Sequence, residues 1–585
     1  MIRAFFISAV VLAALNGGAA PESASTPVFE SPGRPSPENQ IDRFIFSKLA
    51  DSGIKPVLCS DAVFVRRVYL DVIGKLPTAA EAAQFINNPD TQTKRAALID
   101  QLLNRDEFAD YWSMLWGDTL RIKAEFPVNL WPDAAQAYHR WVRASIAENK
   151  PYDRFVREML TSSGSNFRTG PVNFYRAIQN KTPEGIAAVV ALTFMGARAE
   201  AWPKERQDGM KVFFEQVGYK PTSEWKEEIV FWDPLKASST AGNSAPGRDS
   251  ITTAAASNSV ATNAAAVTGP QKAVFQDGKA VLLTGDRDPR EIFADWLIRP
   301  DNPWFARCAV NRTWAWLLGR GLIHEPDDIR KDNPPSHPEL LSWLEKELVQ
   351  NKYDMKHLIR LILNSGTYQF SSVAQNDHPA AEKLFAVYPV RRLDAEVLID
   401  AINSVTGTSE LYTSAIPEPF TYLPKDQPAV AIADGSITSP FLALFGRSAR
   451  ATGMANERDN QTIAAQSRHL LNSSHIQSKI ETGPRFKQLF DPKKPARKIV
   501  DDLYLTVLSR YPTDQEVETV MTYGDFQKKP AAGQPVKTGS GDNAEPQTKV
   551  KRNPKQDPVG ASAERSKWND IAWSLINSPE FLYKH

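Results

Sequence analysis

The stretch LLNRDEFADYWSMLW, residues 102–116, carries the strongest helical signal in this chain. Its large apolar side chains recur at the i, i+3, i+4, i+7 and i+8 spacing of one helix face: Phe108, Tyr111, Trp112, Leu115 and Trp116. The periodicity returns at Leu341, Leu344 and Leu348, and again over residues 358–362. Alternating patterns are scarce, and residues 274–283 and 420–430 are the best candidates for short strands. The sequence therefore predicts a mainly α fold with minor short β.

Composition divides the 585 residues into two dense regions, which predicts two helical domains joined by a disordered linker. Residues 237–272 hold almost no large apolar side chain, so they cannot bury enough surface to offset their ordering entropy. The predicted layout is a signal peptide at 1–20, a disordered segment at 21–38, a helical domain at 39–236, the linker at 237–272, and a second helical domain at 273–585 with a low-complexity insertion at 527–566 and a terminal helix at 567–582.

Residues 1–20 are typical of a secretory signal. Arg3 supplies the positive charge, residues 4–15 the apolar segment, and residues 17–20 the small side chains of a cleavage zone. We therefore expect an exported protein, periplasmic or extracellular, and the sequence leaves open whether the signal is cleaved. No later stretch reaches the about 18 apolar residues of a membrane span, so we expect none after cleavage.

Charge and cysteine content narrow the classes of function. The 69 basic and 68 acidic side chains leave a formal charge of +1, which argues against nucleic acid or a membrane surface as partner. The two cysteines, Cys59 and Cys308, are too few for a disulfide scaffold and lie in different predicted domains. We expect two buried, inert thiols, although the sequence alone leaves their pairing open.

The chain also contains an internal repeat. Tyr69-Leu70, Pro77-Thr78 and Glu81 recur with the same spacing as Tyr504-Leu505, Pro512-Thr513 and Glu516. Each copy is followed by Asn-x-x-Glu-Phe, ending at Phe108 and at Phe581. Thr followed three residues later by Glu is typical of a capping box at a helix start. Asn suits a helix C-terminus because it tolerates the left-handed conformation, which applies to Asn104 and Asn577 and, in similar Leu-Asn-Ser contexts outside the repeat, to Asn364 and Asn472. A duplicated helical hairpin is favoured over a repeated ligand site.

The loop HEPDDIRKDNPPSHP, residues 324–338, is the richest polar cluster. Asp327, Asp328 and His337 are candidate catalytic residues, and His324, Asp327 and Asp328 candidate metal ligands, because carboxylates and imidazoles bind divalent cations and transfer protons. The alternative is structural. Asp327 and Asp328 can pair with Arg320 and Arg330, and Ser336 with Glu339 has the spacing of a capping box.

A second charged cluster and the tryptophans favour structural roles. Arg391, Arg392, Asp394 and Glu396 open a predicted helix, and Arg447, Arg450, Glu457 and Arg458 are candidates for the same ion-pair network. The 14 tryptophans suggest platforms for stacking sugars, but Trp112, Trp116 and Trp314 lie within apolar stripes and are expected in the core. Sequence motifs for nucleotide binding, serine hydrolysis, zinc proteolysis and EF-hand calcium binding are absent from the sequence.

Longer stretches resemble a known pair of domains. RRVYLDVIGKLPT at residues 66–78 and the stretch at 102–112 resemble the planctomycete cytochrome-associated domain of type 2, a domain of unknown function. NRTWAWLLGRGLIHEPDD at 311–328 and RRLDAEVLIDAI at 391–402 resemble its usual C-terminal partner domain, also of unknown function. The resemblance implies an exported protein but supplies no catalytic residues, because no activity is established for either domain.

This chain departs from the family at a haem-like motif. Many relatives carry C-x-x-C-H after the helix ending near Gly196, where this chain reads GARAEAWP over residues 196–203. Covalent haem needs both thiols and an axial imidazole, so we expect no cofactor. We therefore expect an exported protein that docks a partner protein or a cell-surface polymer. The alternative is an extracellular hydrolase of glycans that uses the loop at 324–337.

Overall fold

The computed structural model describes residues 28–236, 271–526 and 559–585, except residues 34 and 424. The predicted signal at 1–20, residues 237–270 of the predicted linker and residues 527–558 of the predicted insertion lie outside the described residues.

The first described region, up to residue 236, is built mainly of helices. They are α1 Gln40–Asp51, α2 Asp61–Val72, α3 Ala79–Ile86, α4 Lys94–Leu103, α5 Asp106–Thr119, α6 Pro132–Ala147, α7 Tyr152–Thr161, α8 Asn173–Arg176, α9 Pro183–Val190 and α10 Lys204–Lys211. A π-helical turn, Ala191–Met195, continues α9. Strands β1 Gly164–Ser165, β2 Val217–Pro221 and β3 Glu228–Trp232 form an antiparallel sheet in the order β1-β3-β2, with Tyr219 opposite Val230.

The second region follows the same pattern. Its helices are α11 Pro289–Leu297, α12 Phe305–Leu318, α13 Pro338–Gln350, α14 Met355–Leu363, α15 Ala395–Thr406, α16 Pro440–Leu444, α17 Ala464–Asn472, α18 Ser474–Thr482, α19 Pro484–Leu489, α20 Ala496–Leu508, α21 Asp514–Gly524, α22 Val559–Ile576 and α23 Pro579–Leu582. Strands β4 Gln271–Val274 and β5 Ala280–Leu283 form a hairpin, and β6 Arg391–Arg392 pairs with β7 Tyr583–Lys584. The prediction of a mainly α fold with minor β is confirmed.

The predicted apolar stripes form the core. Trp112 and Trp116 of α5 are buried, as is Trp314 of α12, so these tryptophans are core residues as expected. The stripe of α13 is buried at Leu341, Leu344 and Leu348. Cys59 and Cys308 are both buried and free. Among the described residues, no helix is both long and apolar enough to cross a membrane.

The two sequence regions pack on one continuous apolar core. Asp42 of α1 is fully buried, and it joins the first region to the turn after α14. Its carboxylate accepts the backbone N–H groups of Gly366 and Thr367, each at 2.9 Å, and the Thr367 hydroxyl at 2.8 Å. The predicted boundary between two domains stays a prediction, but residues on either side of it are in direct contact.

The C-terminal residues also lie in this core. Lys584 of β7 is buried, and its ammonium pairs with Asp71 of α2 at 2.9 Å. Asp71 accepts the hydroxyls of Tyr368 at 2.9 Å and Tyr388 at 2.8 Å. Burial alone would raise the pKa of Asp71, but Lys584 and then Arg391 outweigh it and hold this pKa below its ordinary value. Strand β7 is therefore fixed to helix α2.

The internal repeat has the same structure in both copies. Thr78 and Thr513 each accept the N–H of the Glu three residues later, and the Glu side chain accepts the Thr N–H, so both predicted capping boxes are confirmed. A basic residue at the same position of each copy also pairs with the Glu of Asn-x-x-Glu-Phe: Lys75 with Glu107 at 3.5 Å, and Arg510 with Glu580 at 2.6 Å.

The predicted role of the asparagines is right in position but wrong in conformation. Asn104, Asn364 and Asn577 each follow the last residue of a helix. For Asn104 and Asn364 the φ angles are −100° and −81°, outside the left-handed region. All three side-chain amides instead donate to the carbonyl four residues earlier, at 2.8–2.9 Å. At Asn364 and Asn577 that carbonyl also accepts the backbone N–H of the same asparagine, at 3.0 Å and 3.1 Å. The side chain therefore adds a second hydrogen bond at the helix end, and no left-handed residue is required there.

Some predicted boundaries are wrong. Residues 28–31 lie in the segment predicted as disordered, yet Ser31 donates to the Leu58 carbonyl and Ser60 to the Phe29 carbonyl. Residues 271–272 belong to β4 rather than to the linker, and α22 begins at Val559, inside the predicted insertion. The strand predicted over 274–283 is found as the hairpin of β4 and β5. The one over 420–430 is not, because that segment is a turn followed by a 3-10 turn at Ala429–Ala431.

Candidate functional site

The loop between α12 and α13 holds Asp327 in a buried ion pair. The Asp327 carboxylate accepts Arg312 at 3.1 Å and the backbone N–H of Ala455 at 2.6 Å. Arg312 also donates to the carbonyl of Thr193, at 2.7 Å, in the π-helical turn after α9. Both oxygens of Asp327 therefore have partners that join three distant segments. The expected partner Arg320 was wrong, because Arg312 of α12 lies directly against the loop.

His324 and Asp328 lie on the same loop, and His324 is exposed whereas Asp328 is partly buried. Asp328 pairs with Arg330 at 3.2 Å, as expected from the sequence. His324 lies 3.9 Å from Glu325, and about half of each side chain is exposed. Neither of them shares a partner with Asp327.

His337 is buried at the start of α13. Its Nδ1 is 3.1 Å from the Ser336 hydroxyl, and its ring packs against Phe385. Burial, with the nearby charge of Lys48, lowers the pKa of His337 to about 4, so the ring is neutral at pH 7. The capping box expected for Ser336 and Glu339 is wrong. Since α13 begins at Pro338, Ser336 lies one residue too early to cap it and donates to the Leu322 carbonyl instead.

No hydrogen bond or ion pair joins the candidate catalytic residues Asp327, Asp328 and His337 to one another in the described structure. Acid–base catalysis needs both groups within hydrogen-bond reach of one substrate, whereas Asp327 is directed to Arg312 and His337 to Ser336. In the described part of the chain, no group of three or more His, Cys, Asp or Glu side chains is arranged to hold a metal ion.

The second charged cluster is a buried ion-pair network between α5 and α15. Arg458 pairs with Glu396 at 2.6 Å and with Asp118 at 2.7 Å. Arg447 also pairs with Glu396, at 3.2 Å, and Arg450 with Asp118, at 2.9 Å. Burial would raise the pKa of Glu396, but Arg458 and then Arg447 lower it to about 2. These residues therefore form the predicted ion-pair network, and its carboxylates are fully committed to arginines.

Glu457, Arg391 and Arg392 have other partners. Glu457 accepts the backbone N–H groups of Ala451 and Thr452. Arg391 donates to the Tyr388 hydroxyl at 2.8 Å, and Arg392 to the Phe445 carbonyl at 2.9 Å. All three are structural contacts, as expected, but they lie outside the network.

A groove of about 460 Å³ lies beside the C-terminus, with Phe29, Val373 and Val390 among its lining residues. Its two carboxylates have partners: Glu30 accepts the Ser371 hydroxyl, and Glu580 pairs with Arg510. The groove therefore offers apolar surface without an uncommitted acid.

Aromatic side chains project from three loops on another part of the surface. We call Phe126, Trp131, Trp225, Phe420 and Tyr422 the aromatic surface. Phe126 is 79% exposed, Trp225 70%, Tyr422 74% and Phe420 50%. The rings of Trp131 and Phe420 are in contact, with centroids 5.3 Å apart. The Lys226 ammonium lies 5.9 Å from the Trp131 centroid and 5.2 Å from the Trp225 centroid. Through this lysine, the turn between β2 and β3 contacts the loop that carries Trp131.

The loops that carry the rings are fixed from within. In the loop after α5, Glu125 accepts the Ser414 hydroxyl at 3.3 Å and the Ala415 N–H at 3.0 Å, both from the loop that bears Phe420. Trp131 has φ 75° and Lys226 φ 65°, left-handed values that cost non-glycine residues of order 1–3 kcal/mol each. Such strain is typical of functional sites, and here it occurs at two residues that contact each other.

Sequence reasoning raised tryptophan platforms for stacking sugars but did not locate this surface, because it examined only the tryptophans of the apolar stripes. One signal was available: Phe126 and Trp131 each precede a proline and lie outside the helical stripes. The residue before proline is biased away from the helical conformation, so these rings belong to loops. Their proximity to Trp225 and Phe420 depends on the tertiary structure.

Comparison with known proteins identifies both sequence regions. Residues 40–201 match the family model described as PSCyt2, protein of unknown function (DUF1549), and residues 289–523 match PSD1, protein of unknown function (DUF1553). No curated protein and no solved structure matches the sequence. The aromatic surface draws on both matched regions and, through Trp225, on the segment between them. The chain therefore contains a region that matches DUF1549, followed by a region that matches DUF1553.

Proposed function

We propose that this protein is an exported, non-catalytic docking protein whose aromatic surface binds a cell-surface polysaccharide. The observation that carries the proposal is the exposure of the rings: Phe126, Trp225 and Tyr422 are each at least 70% exposed. A contiguous exposed apolar patch is typical of an interaction site, and the contact between Trp131 and Phe420 joins two of the three loops that carry these rings. Aromatic rings also supply large contact areas at low entropic cost.

A polysaccharide fits this arrangement because sugar rings combine apolar C–H faces with hydroxyl groups. The aromatic surface offers both kinds of partner, since Lys226 lies between Trp131 and Trp225. Single-stranded nucleic acid also stacks on aromatic rings, but it needs a strongly positive groove, and this chain has a formal charge of +1.

The non-catalytic part of the proposal is supported by the charged residues. Asp327, Glu396 and Asp118 are each paired with buried arginines. A carboxylate held in that way is not free to exchange a proton with substrate. No observation favours the glycan hydrolase over docking. The proposal involves no cofactor, and a Soret band in the purified, denatured protein would contradict that part of it.

The test is binding of the purified protein to soluble polysaccharides by affinity electrophoresis, with xylan, polygalacturonate, agarose and κ-carrageenan in the gel. We expect retardation by at least one polymer, and loss of that retardation in the triple variant Phe126→Ala, Trp225→Ala, Tyr422→Ala. The matched control is Leu282→Ala, Val373→Ala, Val390→Ala, which removes side chains that are 53–57% exposed outside the three loops. Equal retardation of both triple variants, or none of the wild type, would overturn the proposal.

A further inference from the structure

We infer that the polysaccharide bound by the aromatic surface is anionic, and that Lys226 recognises its carboxylate or sulfate groups. The inference rests on the proposed docking function and concerns the same surface. It starts from the position of one cation. The Lys226 ammonium lies 5.9 Å from the Trp131 centroid and 5.2 Å from the Trp225 centroid, so a sugar on either ring meets that charge.

Lys226 is exposed and has no ion-pair partner among the described residues. The carboxylates of its own turn are engaged elsewhere. Glu224 pairs with Arg168 at 3.1 Å. Glu227 accepts the hydroxyls of Thr222, at 2.6 Å, and of Ser165. The turn between β2 and β3 therefore holds its acidic side chains away from the ammonium.

In the loop after α5, too, the acidic side chain is hydrogen-bonded within the protein while the lysine has no carboxylate partner in the described part of the chain. Glu125 is bonded to Ser414 and Ala415, whereas Lys123 on that loop contacts only a carbonyl, that of Ala449. Glu418 and Asp426 are the two carboxylates of the three loops without a partner in the described structure. Three lysines of these loops, Lys226, Lys123 and the exposed Lys425, therefore outnumber the two uncommitted acids, although the chain as a whole is nearly neutral.

The backbone supports a positioned charge. Lys226 has φ 65°, a conformation that glycine or asparagine adopts more easily than lysine. The Asn166 side chain donates to the Lys226 carbonyl and accepts the Glu228 N–H at 2.9 Å, which holds the turn. The ammonium is thus presented between the two rings by a fixed turn. A cation beside aromatic faces is an arrangement that attracts anions while the rings stack on the sugar.

The experiment compares two matched pairs of polymers by affinity electrophoresis: polygalacturonate with its methyl ester, and κ-carrageenan with agarose. In each pair the sugar backbone is similar and the charge differs, so the two pairs distinguish a carboxylate from a sulfate ligand. We expect wild type to bind at least one charged polymer about 10-fold more tightly than its neutral counterpart. Lys226→Met should abolish that preference and change binding of the neutral polymer less than about 2-fold. Lys220→Met, which removes an exposed lysine from β2 of the same hairpin, is the control and should keep the preference.

The outcomes separate the two proposals. If wild type binds the charged and neutral polymers equally, the anionic inference is overturned and the docking function stands. If Lys220→Met and Lys226→Met lose the preference for the charged polymer equally, the inference is also overturned. The preference would then reflect the overall charge of the protein and not recognition by Lys226. If no polymer retards the wild type, the docking function fails, and the inference that rests on it fails with it.

Discussion

The ion-pair network and the aromatic surface are built from adjoining segments and have opposite environments. Asp118, near the end of α5, is paired with Arg450 and Arg458 in the interior, and the loop that follows α5 carries Phe126 at 79% exposure. The charged residues are conspicuous in the sequence and are used to hold the fold. The rings resemble core residues in the sequence and are left exposed. The sequence analysis therefore assigned the charged residues correctly to an ion-pair network but did not locate the exposed rings, and the test of each region is how much it contributes to stability.

The largest effect is expected for Arg458→Leu, because Arg458 serves two buried carboxylates, Glu396 and Asp118. Removing one partner of a buried pair costs about 3–5 kcal/mol in unfolding free energy. Urea unfolding measures the loss. Arg154→Leu is the control, since its pair with Glu158 on α7 is a surface pair with Arg154 70% exposed, and should cost below about 0.5 kcal/mol. Equal losses of unfolding free energy in the two variants would mean that the buried network does not stabilise the fold more than a surface ion pair does.

Asp400 lies one turn after Glu396 on α15 but has no arginine partner among the residues that the structure describes. It therefore tests how burial alone changes the pKa of a carboxyl group. Burial raises the pKa of Asp400 to about 7, against hydrogen bonds from the Ala429 and Val430 N–H groups, whereas Glu396 has a pKa of about 2. Because the folded state holds this proton more tightly than the unfolded chain, the stability contributed by Asp400 is fully present below pH 3.8 and is lost as the pH rises through about 7.

Relative to Asp400→Asn, which stays neutral, wild type should therefore lose up to about 4 kcal/mol between pH 4 and pH 8. Urea unfolding of both proteins at pH 4, 6 and 8 measures the difference. The exposed Asp332→Asn serves as the control for the amide substitution. A difference that is constant with pH would contradict the prediction.

The adjacent pair Asp327 and Asp328 compares a buried carboxylate that has a buried partner with a partly buried carboxylate that has an exposed partner. Asp327→Asn leaves Arg312 buried without its counter-charge and should cost about 2–3 kcal/mol. Asp328→Asn breaks only a pair with Arg330, which is 51% exposed, and should cost below about 0.5 kcal/mol. Urea unfolding measures the loss of unfolding free energy in each of the two isosteric variants, and the two losses are compared. The reverse ranking would restore Asp328 as the residue of interest in this loop.

The capping boxes should contribute less. Thr78→Ala and Thr513→Ala each remove one helix N-cap, worth about 1 kcal/mol. Thr93→Ala is the matched control, because Thr93 precedes α4 but makes no side-chain cap hydrogen bond. Thermal unfolding of all three variants is the measurement. If Thr93→Ala is as destabilising as the other two, the effect is not capping.

The smallest effect on stability is expected for the aromatic surface. The triple variant Phe126→Ala, Trp225→Ala, Tyr422→Ala removes rings that are mostly in solvent already, so each change should alter the unfolding free energy by less than about 0.5 kcal/mol. Differential scanning calorimetry measures this alongside the binding assay. A large loss of stability would show that the rings are structural and would weaken their role in docking.

Local sequence signals predicted what depends on near neighbours. The helical stripe of α5, the stripes of α13 and α14, and both capping boxes were found at the expected residues. Helical periodicity and capping involve residues within about four positions of one another, so a single sequence contains them. At the asparagine helix ends and at Ser336 the backbone had alternative conformations. There the sequence predicted the end of the helix but not the backbone conformation or the hydrogen-bond partner.

The sequence by itself determined the mainly α fold, the repeat, the buried tryptophans of the stripes and the order of the two family regions. Only the tertiary structure decided which charges meet and which rings stay exposed. Asp327 pairs with Arg312 rather than Arg320, and Phe420 meets Trp131 across two loops. These pairings depend on where distant segments pack. An ion pair stabilises the fold when it is buried, and an aromatic ring can bind a ligand when it stays exposed. Burial and exposure are properties of the folded chain and not of the residue type.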